Sequence, residues 1–233
     1  MIQNSILSLR GFSNPKVQAF VKVGGSLAFD LDKYKRVAET LELASEKHRI
    51  VVFPGGGPVD KLIESIDRKH PLKPQIPHHA CALAQDQTGL ILTNFSAKLV
   101  PVSDFEHLKD VLDERKVPVL LPSKLILALG IFEKSYDITS DSIGAYFASL
   151  LESEIYVLLK SIDGIKKTGT NKIFSRISAG ELIKLGGDAV DAVLPNFIRA
   201  SKLRCWLING EKPERLVHLL DGKATKGTQI TPE

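Results

Sequence analysis

Four stretches of the chain carry residue types suited to holding and moving a phosphate group. The first is Phe20-Val21-Lys22-Val23-Gly24-Gly25-Ser26, an apolar run with one lysine that stops in a small loop. Glycine has no Cβ to hold a ligand off, so Gly24 and Gly25 let backbone N–H groups come close to an anion. Ser26 adds a hydroxyl, and Lys22 projects a positive charge from the strand end. The second stretch, Pro54-Gly55-Gly56-Gly57-Pro58, again ends an apolar run in glycine. The third, Tyr136-Asp137-Ile138-Thr139-Ser140-Asp141-Ser142, opens an apolar helical segment with more hydroxyls and carboxylates than one cap requires. Asp137, Thr139, Ser140 and Asp141 are therefore candidate site residues. The fourth sets Lys160 at the end of another apolar run, before Ser161-Ile162-Asp163-Gly164-Ile165, whose Asp-Gly pair marks a tight turn.

These residues suit phosphoryl transfer, which needs negative charge neutralised and two anions held in line. Lysines and backbone N–H groups supply the first, and close approach at glycine supplies the second. A helix starting near Ser140 adds a partial positive charge at its N-terminus. An aspartate among them does not attract phosphate. It makes sense if it orients the lysines or helps hold magnesium through water. The chain has no Gly-x-x-x-x-Gly-Lys-Ser/Thr loop, no Gly-x-Gly-x-x-Gly fingerprint and no Gly-x-Ser-x-Gly elbow.

The elements that must position these residues alternate. Strands are predicted over residues 18–23, 50–53, 99–102, 117–121, 154–159, 205–208 and 226–230. Helices are predicted over 31–47, 59–68, 78–92, 104–114, 178–185, 195–202 and 211–220, with a short helix or turn over 122–129 and a helix following Ser142. Ile50-Val51-Val52-Phe53 is continuously apolar, as in a strand covered on both faces. Ser178 with Glu181 reads as a capping box. The pattern implies an α/β fold, a three-layer αβα sandwich on a mostly parallel sheet, whose ligand crevice lies at the carboxyl ends of the strands. Both glycine loops fall at such ends. Residues 1–15 read as an extension and 16–233 as one domain of two lobes dividing near residue 130.

Composition limits the partners. The 233 residues are 43% hydrophobic and 25% charged, with a net charge of +4 and no basic block, so neither nucleic-acid nor membrane binding is expected. Cys81 and Cys205 lie far apart in apolar surroundings, as buried reduced thiols would, and no zinc spacing occurs. With no leader sequence and no run long enough to span a bilayer, the cytoplasm is the expected location.

Lys22-Val23-Gly24-Gly25-Ser26, Pro54-Gly55-Gly56-Gly57-Pro58, Thr139-Ser140-Asp141-Ser142 and Lys160-Ser161-Ile162-Asp163-Gly164-Ile165 resemble, in that order, motifs of the amino acid kinase superfamily. Its members include acetylglutamate, aspartate, uridylate and isopentenyl phosphate kinases. Ser135 to Ile143, the His78-x-Ala80-Cys81-Ala82-Leu83-Ala84 segment and Leu207-Ile208-Asn209-Gly210 further resemble the subgroup acting on [5-(aminomethyl)furan-3-yl]methyl phosphate in methanofuran biosynthesis. Tyr136 stands where that subgroup has tryptophan. The resemblance implies ATP and Mg2+ as co-substrate and cofactor, and a phosphate monoester converted to a diphosphate. It implies that Lys22 contacts the transferred group, with Lys160 also catalytic. Gly24, Gly25, Ser26, Gly55, Gly56 and Gly57 would hold phosphate, and Asp141 would organise the lysines. Lys160, Asp163, Gly164 and Ile165 would fall at the nucleotide, and no residue would ligate a metal directly. An ammonium group on the acceptor would be met by Asp137 or Asp86. Many members carry a second catalytic lysine where this chain has Gly187-Asp188-Ala189-Val190-Asp191, leaving that role to Lys160 or Lys202. The resemblance also implies a homo-oligomer, at least a dimer, pairing through the helix over 78–92. The alternatives are a kinase for isopentenyl phosphate or uridylate, or a non-catalytic anion-storage protein on the same fold.

Overall fold

The computed structural model describes residues 15–132 and 135–233, so the expected extension lies, apart from Pro15, outside the described residues. In chain order the elements are β1 (Ala19–Val23), α1 (Leu31–Ser45), β2 (Ile50–Pro54), α2 (Gly57–Lys69), α3 (Gln75–Thr93), β3 (Leu99–Val102), α4 (Phe105–Asp113), β4 (Val117–Leu120) and α5 (Ser123–Leu129). They continue with α6 (Ser140–Leu150), β5 (Ile155–Lys160), β6 (Arg176–Ser178), α7 (Ala179–Leu185), α8 (Leu194–Ser201), β7 (Cys205–Asn209), α9 (Glu214–Leu220) and β8 (Gly227–Thr231).

One eight-stranded sheet runs through the molecule in the order β3-β4-β2-β1-β5-β7-β8-β6. From β3 to β7 every pair is parallel, while β8 runs antiparallel to β7 and carries β6 parallel to itself. β8 begins beside the carboxyl end of β7, with Gly227 opposite Ile208.

Strand alternation divides the core between the two faces. Phe20, Phe53, Tyr156 and Leu158 pack on one side with Tyr146 and Phe147 of α6. Val21, Val52, Val157 and Leu159 pack on the other with Tyr34, Val37 and Leu41 of α1. The consequence for the site is a matter of parity. Lys22 shares the α6 face with Phe20, and Lys160 shares it with Tyr156 and Leu158, because side chains two apart on a strand point the same way.

Most element ends shift by one to three residues, and three differences bear on the fold. The helix expected over 78–92 begins at Gln75 and takes Pro77 into its first turn, where a missing N–H costs nothing. β6, only three residues long, gives too short a pattern to recognise. Gly25–Phe29, expected as loop, forms a 3-10 turn. The capping box is present: Glu181 N donates to Ser178 Oγ at 3.1 Å and Ser178 N to Glu181 Oε2 at 2.9 Å.

Candidate active site

The carboxyl edge of the sheet gathers the charged residues. Lys22 Nζ donates to Asp141 Oδ1 at 2.7 Å, and Lys160 Nζ to Asp141 Oδ2 at 2.5 Å. Lys22 is 5% exposed and Asp141 2%, so this is a buried ion triad and not a surface pair. Burial opposes the charge on Asp141, but the two ammonium groups outweigh it and hold the carboxyl below its ordinary range. Burial pulls the Lys160 ammonium below the usual lysine value, against the attraction of Asp141. Lys160 also donates to Ala189 O at 2.8 Å. It supplies the second positive charge, whereas Lys202 is an exposed residue at the end of α8 and does not line the cavity.

Each strand presents its lysine at its end, and α6 lowers Asp141 between them. Gly144 permits that descent: a Cβ there would lie 2.6 Å from the Tyr156 hydroxyl. The same hydroxyl donates to Asp141 O at 2.8 Å, fixing the start of the helix. The two glycine loops touch. A Cβ on Gly25 would sit 2.4 Å from Gly57 N, and one on Gly55 2.7 Å from Gly25 N. Gly24 N and Gly55 N are spent on Leu159 O and Val23 O. Gly25, Gly56 and Gly57 remain as the glycines whose amides open a helix beside the cavity, where terminal N–H groups lack intrahelical partners. Ser26 Oγ meets Ser161 Oγ at 3.3 Å across the mouth.

Asp191, in the loop where a lysine was looked for, is a residue the sequence reading passed over. Its carboxylate accepts from Thr139 N and Oγ1 at 3.0 and 2.9 Å, and from Ser142 N and Oγ at 2.9 and 2.5 Å. It also accepts from Leu194 N at 2.9 Å, so one carboxylate anchors the starts of α6 and α8. The hydroxyl-rich run before α6 was its signal, since those hydroxyls need an acceptor.

The remaining candidates are placed apart from the triad. Asp163 accepts from Lys226, Arg215 and Asn209 at 2.5, 2.7 and 2.9 Å. These hydrogen bonds, that of Lys226 foremost, hold its carboxyl far below the usual range. Ile165 is buried, with its N–H donated to Thr228 Oγ1 at 2.9 Å, and a Cβ on Gly164 would strike that same oxygen. This trio fixes the turn after β5 and lines neither cavity beside the lysines. Asp86 accepts from both Ser123 N and Ser123 Oγ at the start of α5 and is fully engaged there. Asp137 is exposed, on the wall shared by Lys160, Asp188 and Asp191.

Beyond Asp60 and Ser140, which line both spaces, lies a second cavity with Pro77, Ala82, Ile126, Ile138 and Ile143 on its apolar walls and Tyr136 at its rim. Tyr136 Oη donates to Asp67 Oδ2 at 2.9 Å, tying the segment before α6 to α2. Cys81 lines this cavity, half-buried rather than buried, and burial pushes its thiol up to about 12. Among the described residues no group of three or more His, Cys, Asp or Glu side chains could hold a metal ion. Both oxygens of Asp141 are taken by lysine. A magnesium ion thus fits this site only as a companion of bound phosphates.

A sheet edge that concentrates buried positive charge between two glycine loops is suited to the transfer of a phosphoryl group between small molecules. The chain belongs to the amino acid kinase family, whose model matches residues 18–209, and it is an ATP-dependent phosphotransferase. The chain is 29% identical over 214 residues to [5-(aminomethyl)furan-3-yl]methyl phosphate kinase of Methanocaldococcus jannaschii, covering 90% of this chain and 96% of the relative. It is 23% identical over 231 residues to uridylate kinase of Thermococcus kodakarensis, covering 90% and 97%. In fold it matches the crystal structure of uridylate kinase from Archaeoglobus fulgidus with a TM-score of 0.73 at 19% identity, over 92% of this chain and all of that one. Among the described residues no helix is long and apolar enough to cross a membrane.

Proposed function

We propose that the protein phosphorylates a small phosphate monoester to a diphosphate, with [5-(aminomethyl)furan-3-yl]methyl phosphate as the acceptor. The observation that carries the transfer chemistry is the buried Lys22–Asp141–Lys160 triad at the cavity bounded by Gly25, Gly56 and Gly57. A phosphate oxygen of the acceptor attacks the γ-phosphorus of ATP. The bond to the β–γ bridging oxygen breaks, and ADP leaves with the electron pair. Lys22 and Lys160 face the charge that builds on the transferred group, and Asp141 holds both ammonium groups in place before substrates arrive. Magnesium, carried on the nucleotide phosphates, adds charge neutralisation when bound.

The choice of acceptor rests on the relative from Methanocaldococcus jannaschii and on the second cavity, which has an apolar floor for a ring and carboxylates at its edge. Uridylate is the second reading, favoured by relatives and fold neighbours that carry that name. ADP release measured with this furan phosphate, uridylate and isopentenyl phosphate distinguishes them. The expected result is turnover of the furan phosphate at a kcat/KM well above the others. Lys22→Ala should abolish turnover while circular dichroism shows an intact fold, and an active Lys22→Ala variant would refute the assignment of Lys22.

A further inference from the structure

The wall between the two cavities holds a carboxylate that forms no ion pair among the described residues. Asp60, on the first turn of α2, lines both spaces. Its carboxylate lies directly over the backbone of Gly56, where a Cβ would meet all three carboxyl atoms at 2.2 Å. Asp60 Oδ1 is buried and has no hydrogen-bond partner. Across the same cavity, Gln85 of α3 is 4% exposed, and its Oε1 is likewise without a partner. One helical turn beyond Asp60, Glu64 lines the cavity as well, and its carboxylate is shared with Lys61.

A buried acceptor without a donor is destabilising, more so when it is charged, and two on one cavity call for a ligand that donates. The position also matters. Asp60 stands beside the glycine loop against which the acceptor's phosphate would rest, so a purely anionic acceptor meets repulsion there. An acceptor bringing its own positive charge removes that repulsion and gains a charge-assisted hydrogen bond. Burial pushes the Asp60 carboxyl up to about 6, as an uncompensated buried charge requires, with the Cys81 thiol hydrogen-bonded to it.

Building on the function proposed above, we infer that Asp60, with Gln85 Oε1, receives the protonated amine of the acceptor and makes the enzyme selective for zwitterionic phosphate monoesters. The apolar walls take the ring between the two charged ends.

The test compares [5-(aminomethyl)furan-3-yl]methyl phosphate with its hydroxymethyl counterpart, which has the same shape and no positive charge. The parent enzyme should favour the amine by about 30-fold or more in kcat/KM, the scale expected for an ammonium–carboxylate contact in a desolvated site. Asp60→Asn should bring the two acceptors within about threefold, through a raised KM for the amine, with the KM for ATP unchanged. Gln85→Met should lower the preference in the same direction and by less. Equal use of both acceptors by the parent, or an unchanged preference in Asp60→Asn, overturns the assignment of Asp60 and leaves the kinase reading standing. Failure of the parent to turn over or bind the amine-bearing phosphate takes down both. Titration calorimetry of the two phosphates gives a readout independent of turnover, and an equal affinity for both would also overturn the inference.

Discussion

Lys22 and Asp141 are 119 residues apart and form the shortest possible connection between the two halves of the site, a direct ion pair. A buried carboxylate flanked by two ammonium groups keeps a net positive charge that solvent cannot screen, which is what an incoming phosphate requires. Asp60 shows the opposite condition. It faces Cys81 on α3, Glu64 and Lys61 on α2, and Lys22 on β1; burial, joined by the Glu64 charge, outweighs the Cys81 hydrogen bond and the two lysines and raises its carboxyl to about 6. The folded chain therefore binds the Asp60 proton more tightly than the unfolded chain does. The associated stability is full below the ordinary carboxylate range and is lost as pH rises through about 6. Relative to the parent, Asp60→Asn should gain on the order of 3 kcal/mol between about pH 4 and pH 7. Urea unfolding of both proteins at pH 4.5 and 7.5 (values chosen to bracket the roughly two-unit window) checks this. A difference that is the same at both pH values would show that the Asp60 charge is not buried as described.

At the scale of elements, the site depends on how α6 and α8 begin. Asp191 accepts from both helix starts, and the neighbouring Ala189 carbonyl holds Lys160. Asp191→Ala should cost about 2–4 kcal/mol, the sum expected for two lost caps and the donors left unpaired. It should also lower kcat, because the loop that fixes Lys160 is freed. Denaturant midpoints and steady-state rates test this, and a variant with parental stability would remove Asp191 from the role given to it. The elements themselves were largely legible in the sequence. Continuous apolar runs marked the buried parallel strands, and Ser178 with Glu181 marked the start of α7. β6 was not legible, because three residues cannot establish a period. Nor was the direction of β8, because side-chain alternation along a strand reads the same whichever way the strand runs.

At the scale of the whole molecule, exposed apolar residues gather along α3. Ile76, Leu83 and Leu90 recur every seven residues on α3 and are 48%, 51% and 48% exposed, and Leu62 and Ile66 of the adjoining α2 extend the patch. A stripe of this kind on two packed helices is suited to a second copy of the chain. Light scattering should give twice the 25.6 kDa of one chain, and Leu83→Lys with Leu90→Lys should halve it. A parent that is monomeric at micromolar concentration would exclude this pairing.

The sequence by itself determined the α/β class, both glycine loops, and the two lysines at strand ends. Each of these depends on local rules: apolar continuity, the missing Cβ of glycine, and the alternation of side chains along a strand. It could not determine which carboxylate meets which partner. Asp86 and Asp163 were candidates beside Asp141, yet Ser123 takes the first and Asn209, Arg215 and Lys226 take the second. Asp60, inconspicuous in the first turn of a helix, lies between the two cavities with its Oδ1 buried and without a partner among the described residues. Charge pairing acts across a few ångströms of space whatever the separation in the chain. Only the packing of α2, α3 and α6 on the sheet therefore decided which acids are spent on structure and which one is left for a ligand.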